Sequence, residues 1–257
     1  MKQIRLDKFL TMAGDVSRSQ ARQYIKKGRV NVDGSPEKKP DRKVDPETNK
    51  VELDGEICLY EEFVYLMLYK PAGVISATRD SAERTVLDLV DCKGRDLFPV
   101  GRLDKDTEGL VLLTDDGRLA HRLLSPAHHV DKRYYAILDE AVGQEEVKAF
   151  AWGLDIGDEK MTMPALLEPV GWISEAEPLT AEGKTISGLP GQEQGFAVYI
   201  TIQEGRYHQV KRMARAAGRK VLYLKRLSMG PLILDRALEP GTCRTLTREE
   251  IEEIRAL

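Results

Sequence analysis

Gly101-Arg102-Leu103-Asp104-Lys105-Asp106-Thr107-Glu108-Gly109-Leu110-Val111-Leu112-Leu113-Thr114-Asp115-Asp116-Gly117 is the stretch on which the reading of this chain turns. An apolar run over 109–114 follows a polar loop bounded by glycines, the pattern of a buried strand entered from a turn. Asp104 would then stand on a rigid apolar scaffold with limited access to water. An aspartate so placed can act as nucleophile or general base. The tripeptide alone carries little, because Arg-Leu-Asp recurs at Arg5-Leu6-Asp7, where the spacing predicts a helix. Taken singly, Asp104 reads as a turn-capping carboxylate, and Asp106, Asp115 and Asp116 as turn and cap residues.

Outward from this stretch, strands and helices mix without a regular βαβ rhythm. Residues 63–69 form a nearly continuous apolar run stopped by Lys70-Pro71, which predicts a buried strand. Further strands are expected at 97–100, 109–114, 133–138, 164–169, 196–202 and 220–227, and helices near 84–90, 116–124, 144–152, 207–217 and 247–256. Thr247-Arg248-Glu249-Glu250 is a capping box that sets the start of the last helix. The class is α+β, with a small N-terminal domain followed by a mainly antiparallel mixed sheet flanked by helices.

Toward the N-terminus, Leu6, Phe9, Leu10 and Ala13 fall at helical spacing. Ser17 and Gln20 form a second capping box, and Gly28 suits the end of the helix they open. Val30 and Val32 alternate before an Asp33-Gly34 turn. Val51–Leu53, Asp54-Gly55 and Glu56-Ile57 repeat the pattern. Residues 35–50 carry three prolines and predict a connecting loop. The organisation is therefore a first domain over 1–59 and a second over 63–257. Within the second, 171–195 holds five glycines and four glutamates and reads as an acidic surface insertion.

The whole-chain figures exclude several classes. At 257 residues, 42% hydrophobic and 32% charged, the chain is neither disordered nor a coiled coil. No apolar run approaches the roughly 20 residues a membrane-spanning helix needs. The first residues lack a signal-peptide core, so a cytoplasmic protein is expected. Cys58, Cys92 and Cys243 show no paired spacing, and His121, His128, His129 and His208 show no metal-ligand spacing. No metal is expected. No glycine-rich cofactor loop follows a strand, which argues against a methyltransferase. The net charge of −3 hides two basic segments. Residues 1–30 carry eight Lys/Arg against two Asp/Glu, and residues 203–230 carry eight against one. Clustered positive charge of this kind is a footprint for phosphates. Arg18, Arg22 and Lys26 are spaced four apart on one helix face, where their mutual repulsion suits a polyanion opposite.

The motif R-L-D-K-F-L…S-R-S-x-A…I-K-K-G-R-V-x-V-D-G over about 1–59 resembles the S4 RNA-binding domain. That resemblance implies RNA contacts from Arg5, Arg18, Arg22, Lys26, Lys27 and Arg29. Residues 101–117 are similar throughout to the pseudouridine synthases, in the branch that acts on ribosomal RNA and carries an S4 domain. Lys70-Pro71-Ala72-Gly73, Lys132-Arg133-Tyr134 and Glu204–Met213 match further blocks in order. The resemblance implies Asp104 as the catalytic nucleophile, with attack on base or ribose left open. It implies Tyr134 as the residue that stacks on the uracil and takes the C5 proton, and Lys211 as the cation paired with the aspartate. Arg102, Arg206, His208, Gln209 and Arg212 are the implied RNA-binding residues. Base isomerisation needs no cofactor.

His208-Gln209-Val210-Lys211 and Ser125-Pro126-x-His128-His129 look like the small-subunit branch, whose target is uridine 516 of 16S rRNA. The expected partner is 16S rRNA, as free RNA or within an assembling small subunit, and a monomer is the default. A synthase for 23S rRNA and a non-catalytic S4-type assembly factor are the competing readings.

Overall fold

The computed structural model describes residues 3–13, 16–91, 94–173 and 195–257. The chain forms two compact units. The first comprises 1–64 with 90–98 and 114–116, and the second comprises the remainder.

The first unit begins with β1 (Ile4–Arg5), α1 (Leu6–Ala13) and α2 (Arg18–Lys26). Both bonds of the expected capping box are made. Ser17 Oγ accepts from the Gln20 amide, and the Ser17 amide donates to Gln20 Oε1. Gly28 takes φ +73°, a left-handed conformation that glycine adopts without the Cβ penalty. Then come β2 (Val30–Val32), β3 (Ser35–Glu37), β4 (Lys43–Val44), β5 (Val51–Leu53) and β6 (Glu56–Ile57). β3, β2, β5 and β6 make a small antiparallel sheet in that order, and β4 pairs with β1. The predicted connecting loop over 35–50 thus contains two short strands. Pro36 is tolerated because β3 is an edge strand, where a missing N–H costs no ladder bond. Leu6, Phe9, Leu10, Ala21, Ile25, Val30, Val32, Val44 and Val51 close the core of this unit.

The second unit is built on β7 (Tyr65–Lys70), β8 (Phe98–Val100), β9 (Glu108–Thr114), β10 (Lys132–Leu138), β11 (Leu166–Ile173), β12 (Gly195–Ile202), β13 (Val221–Met229), β14 (Leu232–Ile233) and β15 (Cys243–Thr245). Its main path runs β11-β12-β10-β13-β9-β7-β15, with β14 on β13 and β8 on β9. β9 runs parallel to β13, whereas β10–β12, β10–β13, β11–β12 and β7–β15 are antiparallel. The helices are α3 (Gly117–Leu124), α4 (Gln144–Trp152), α5 (Gln209–Ala216) and α6 (Arg248–Ala256), the last opened by the Thr247–Glu250 capping box. The helix expected near 84–90 is a 3-10 turn over Val86–Leu89. Of the predicted insertion, 171–173 end β11 and residue 195 opens β12. These strands pair with each other, and 174–194 lie outside the described residues.

One contact fixes the strand that leads out of the Asp104 loop. Gly109 lies opposite Arg226 in the parallel β9–β13 pair. A Cβ at Gly109 would lie 2.2 Å from the Arg226 carbonyl oxygen, and φ is +109°. Only glycine permits this approach of two backbones.

Candidate active site

Asp104 sits in the loop between β8 and β9, and that loop is held from both sides. Ser76 Oγ donates to the Leu103 carbonyl at 2.9 Å and accepts from the Leu103 amide at 3.0 Å. Lys70, fully buried at the end of β7, donates to the carbonyls of Thr107 at 2.7 Å, Pro71 at 3.0 Å and Lys105 at 3.3 Å. The Gly73 amide adds a bond to the Lys105 carbonyl at 2.7 Å. Burial pulls the Lys70 ammonium down to about 8, although Asp106, Glu108 and Asp104 oppose that fall.

α5 brings the remaining chemistry to this loop. Lys211 Nζ lies 2.9 Å from Asp104 Oδ2 and 2.5 Å from Asp106 Oδ1, and His208 Nε2 lies 3.3 Å from Asp104 Oδ1. Burial lowers the Lys211 ammonium, but its hydrogen bonds to Asp106 and Asp104 outweigh this and leave it above the ordinary lysine value. Asp106 experiences the converse: burial raises it, and Lys211 holds it below the ordinary carboxylate value. A half-buried carboxylate thus meets a fixed cation on a loop whose backbone is clamped.

Tyr134 lies on β10, 7% exposed, opposite Arg226 on β13 and Ile200 on β12. No hydrogen bond among the described residues joins it to Asp104, His208 and Lys211. Arg226 is 2% exposed, and its Nε donates to the Leu110 carbonyl at 2.8 Å. Arg102 is exposed beside Asp104.

Other basic residues of the later segment turn inward. Arg206 donates to Glu204, to Asp158 and to the carbonyls of Lys160 and Met161. Arg212 donates to the Ile156 and Tyr207 carbonyls and to Asp158. Both side chains thereby tie 156–161 to the start of α5. Gln209 is buried, with Nε2 on Glu204 and Oε1 accepting from the Arg206 amide.

In the first unit, Arg5, Arg18 and Arg22 converge on one buried carboxylate, Asp7, with Nε–Oδ distances of 2.9, 3.7 and 2.9 Å. The repulsion expected along the α2 face is offset from within by this residue. Burial would raise Asp7, yet the Arg5 and Arg22 hydrogen bonds hold it down at about 2. Arg29 pairs with Asp54 and lies over the Tyr24 ring, while Lys26 and Lys27 are exposed. Among the described residues, no group of three His, Cys, Asp or Glu side chains is arranged to hold a metal ion.

Sequence reasoning assigned no role to Lys70, Ser76, Gly109, Tyr207 or Arg226. Two signals were present: a lysine closing an apolar strand, and a lone glycine at the head of another.

Residues 64–216 match the family described as RNA pseudouridylate synthase, and residues 4–49 match the S4 domain. The uncharacterized RNA pseudouridine synthase YtzG of Bacillus subtilis (strain 168) is 46% identical over 250 residues, covering 96% of this chain and 97% of that protein. Ribosomal small subunit pseudouridine synthase A of Vibrio parahaemolyticus is 42% identical, with 98% of this chain and 99% of that one covered. Its namesake in Escherichia coli (strain K12) is 39% identical, with 98% and 100% covered. A solved structure described as a pseudouridylate synthase shares 36% identity at a TM-score of 0.62, covering 98% of this chain and 99% of that one. These matches run nearly end to end, and the chain belongs to the RNA pseudouridylate synthase family, in the group that carries an S4 domain.

Proposed function

We propose that the protein isomerises one uridine of ribosomal RNA to pseudouridine, and that the substrate is uridine 516 of 16S rRNA within an assembling small subunit. The observation that carries the chemistry is the Asp104–Lys211 pair on the clamped loop. Asp104 is the nucleophile in this reading. It attacks the target uridine, the bond between N1 and the ribose breaks, and the freed uracil turns to present C5. A C5–ribose bond forms, the bond to Asp104 breaks and frees its carboxylate, the C5 proton leaves to Tyr134, and N1 takes up a proton. Atoms and electrons balance within the substrate, so the reaction requires no cofactor.

A paired or stacked uridine must first leave its helix, at a cost of a few kcal/mol. Stacking on Tyr134 and phosphate contacts offset that cost. Arg102 is an exposed cation of the loop. In the module over 1–59, Arg5, Arg18, Arg22, Lys26, Lys27 and Arg29 meet phosphates, and the catalytic part over 63–257 acts in a monomer. The ribosomal target is supported by the small-subunit synthases that resemble the chain end to end.

The test is tritium release from 16S transcript labelled at uracil C5 and assembled with its ribosomal proteins. Wild type is expected to release label and Asp104→Asn to release none. Release by both would overturn the role of Asp104. Release only from 23S RNA would move the target, and binding without release from either RNA would favour an assembly factor.

A further inference from the structure

Tyr207 is 76% exposed, yet it is not loosely held. Its ring stacks on His208 with centroids 3.9 Å apart and planes 16° apart. His208 in turn reaches Asp104 at 3.3 Å. The backbone beneath this pair is locked. His208 takes a left-handed φ of +48°, unusual for a residue with a Cβ. The Tyr207 carbonyl accepts from Arg212 at 3.1 Å, the Arg206 amide donates to Gln209 at 2.9 Å, and the Arg206 side chain is bonded to Glu204, Lys160 and Met161. One face of the Tyr207 ring is covered by His208, and the ring is otherwise open to solvent. Arg102, exposed on the Asp104 loop, supplies positive charge, while Lys211 is paired with Asp104 and Asp106.

Resting on the reading of Asp104 as the catalytic centre, we propose that the open face of Tyr207 receives the nucleobase of a nucleotide flanking the target uridine. Tyr207 is thereby a specificity-determining residue. An exposed, pre-oriented aromatic ring is the chemistry that stacks bases. A base seated there would be separated from Asp104 by two stacked rings, which suits a neighbour of the displaced uridine rather than the uridine itself. Pre-organisation by Arg206, Gln209 and Arg212 means little ordering is left to the moment of binding.

The experiment uses the full chain and a hairpin of 16S rRNA around uridine 516, with 2-aminopurine placed in turn at each of the two nucleotides on either side. Fluorescence is read on binding to the Asp104→Asn protein with and without Tyr207→Ala. KM and kcat are read by tritium release from 16S transcript assembled with its ribosomal proteins, in the otherwise wild-type background. One flanking position is expected to be quenched by wild-type Tyr207 and not by Tyr207→Ala. That variant should raise KM roughly tenfold, with kcat within threefold. Tyr207→Phe and Tyr207→Trp should behave as wild type, because the ring and not the hydroxyl is used. Unchanged quenching and KM in Tyr207→Ala would overturn the proposal, as would a Tyr207→Phe as defective as Tyr207→Ala. Tyr207-dependent quenching without any tritium release by wild type would uphold the stacking site while overturning the catalytic reading.

Discussion

Lys70 Nζ lies 2.7 Å from the carbonyl oxygen of Thr107, and so a buried cation on β7 holds the exit of the Asp104 loop. Its three carbonyl partners match the three N–H bonds of an ammonium. Lys70→Met keeps the length and removes every bond. It is expected to lower kcat roughly 100-fold through misplacement of the loop, with the RNA dissociation constant little changed.

The pH dependence of this group has opposite signs for stability and activity. The folded value is about 8 against an ordinary 10.5. Between these values the unfolded chain holds more protons than the folded one, so this group makes stability rise as pH climbs through that window. Below about 8 both states are protonated and the group adds no slope. Deprotonation meanwhile leaves two N–H bonds for three carbonyls, and kcat should fall above about pH 8. Denaturant titrations and initial rates from pH 7 to 10 check both signs. Lys132 is also lowered by burial to about 8, so the comparison of wild type with Lys70→Met isolates the Lys70 share.

The close approach of Gly109 to Arg226 gives a second expectation. Gly109→Ala places a methyl 2.2 Å from a carbonyl oxygen at a positive φ, and neither strand can yield without breaking the sheet. A loss of at least about 3 kcal/mol is expected, read as a drop in Tm of roughly 10 °C. Gly117→Ala is the control. It meets nothing within 4 Å and lies at the start of α3, where alanine is a better helix former by up to about 1 kcal/mol.

Much of the fold was legible because its signals are local. The Ser17–Gln20 and Thr247–Glu250 capping boxes each lie within four residues, and the strand after Asp104 announces itself as an unbroken apolar run. β3 and β4 were hidden because Pro36 and Pro40 signal a loop whenever the strand's edge position is unknown. Charge counts located the basic segments and not their directions. Arg206 and Arg212 donate to carbonyls of 156–161, and Asp7 lies beneath Arg18 and Arg22, which no spacing rule conveys. The pairing of Asp104 with Lys211 spans 107 positions. The family blocks brought the two together, since no periodicity reaches that far.

Asp7 gives the third prediction. Its folded value of about 2 lies below the ordinary 3.8. The stabilisation is therefore complete above about pH 4 and lost as pH falls toward 2. The difference amounts to about 2 kcal/mol. Asp7→Asn should lose that amount at neutral pH and show a flatter acid limb in urea titrations between pH 4 and 2. An unchanged acid limb would show that the three arginines are not organised by this carboxylate.

The last prediction separates two carboxylates, Asp104 and Asp106, that Lys211 touches alike. Asp106 is 75% exposed at its side chain, against 24% for Asp104. A carboxylate open to water is a poor nucleophile for a displaced base, because its solvation must first be removed. Asp106→Asn also leaves the Asp104–Lys211 contact intact and gives Asp104 the undivided charge of the lysine. Single-turnover tritium release should therefore persist within about tenfold of wild type in Asp106→Asn. Asp104→Asn should fall by more than about 1,000-fold while RNA is still bound, the signature of a group used only in the transition state. The reverse order of the two variants would transfer the nucleophile to Asp106 and make Asp104 the residue that positions Lys211.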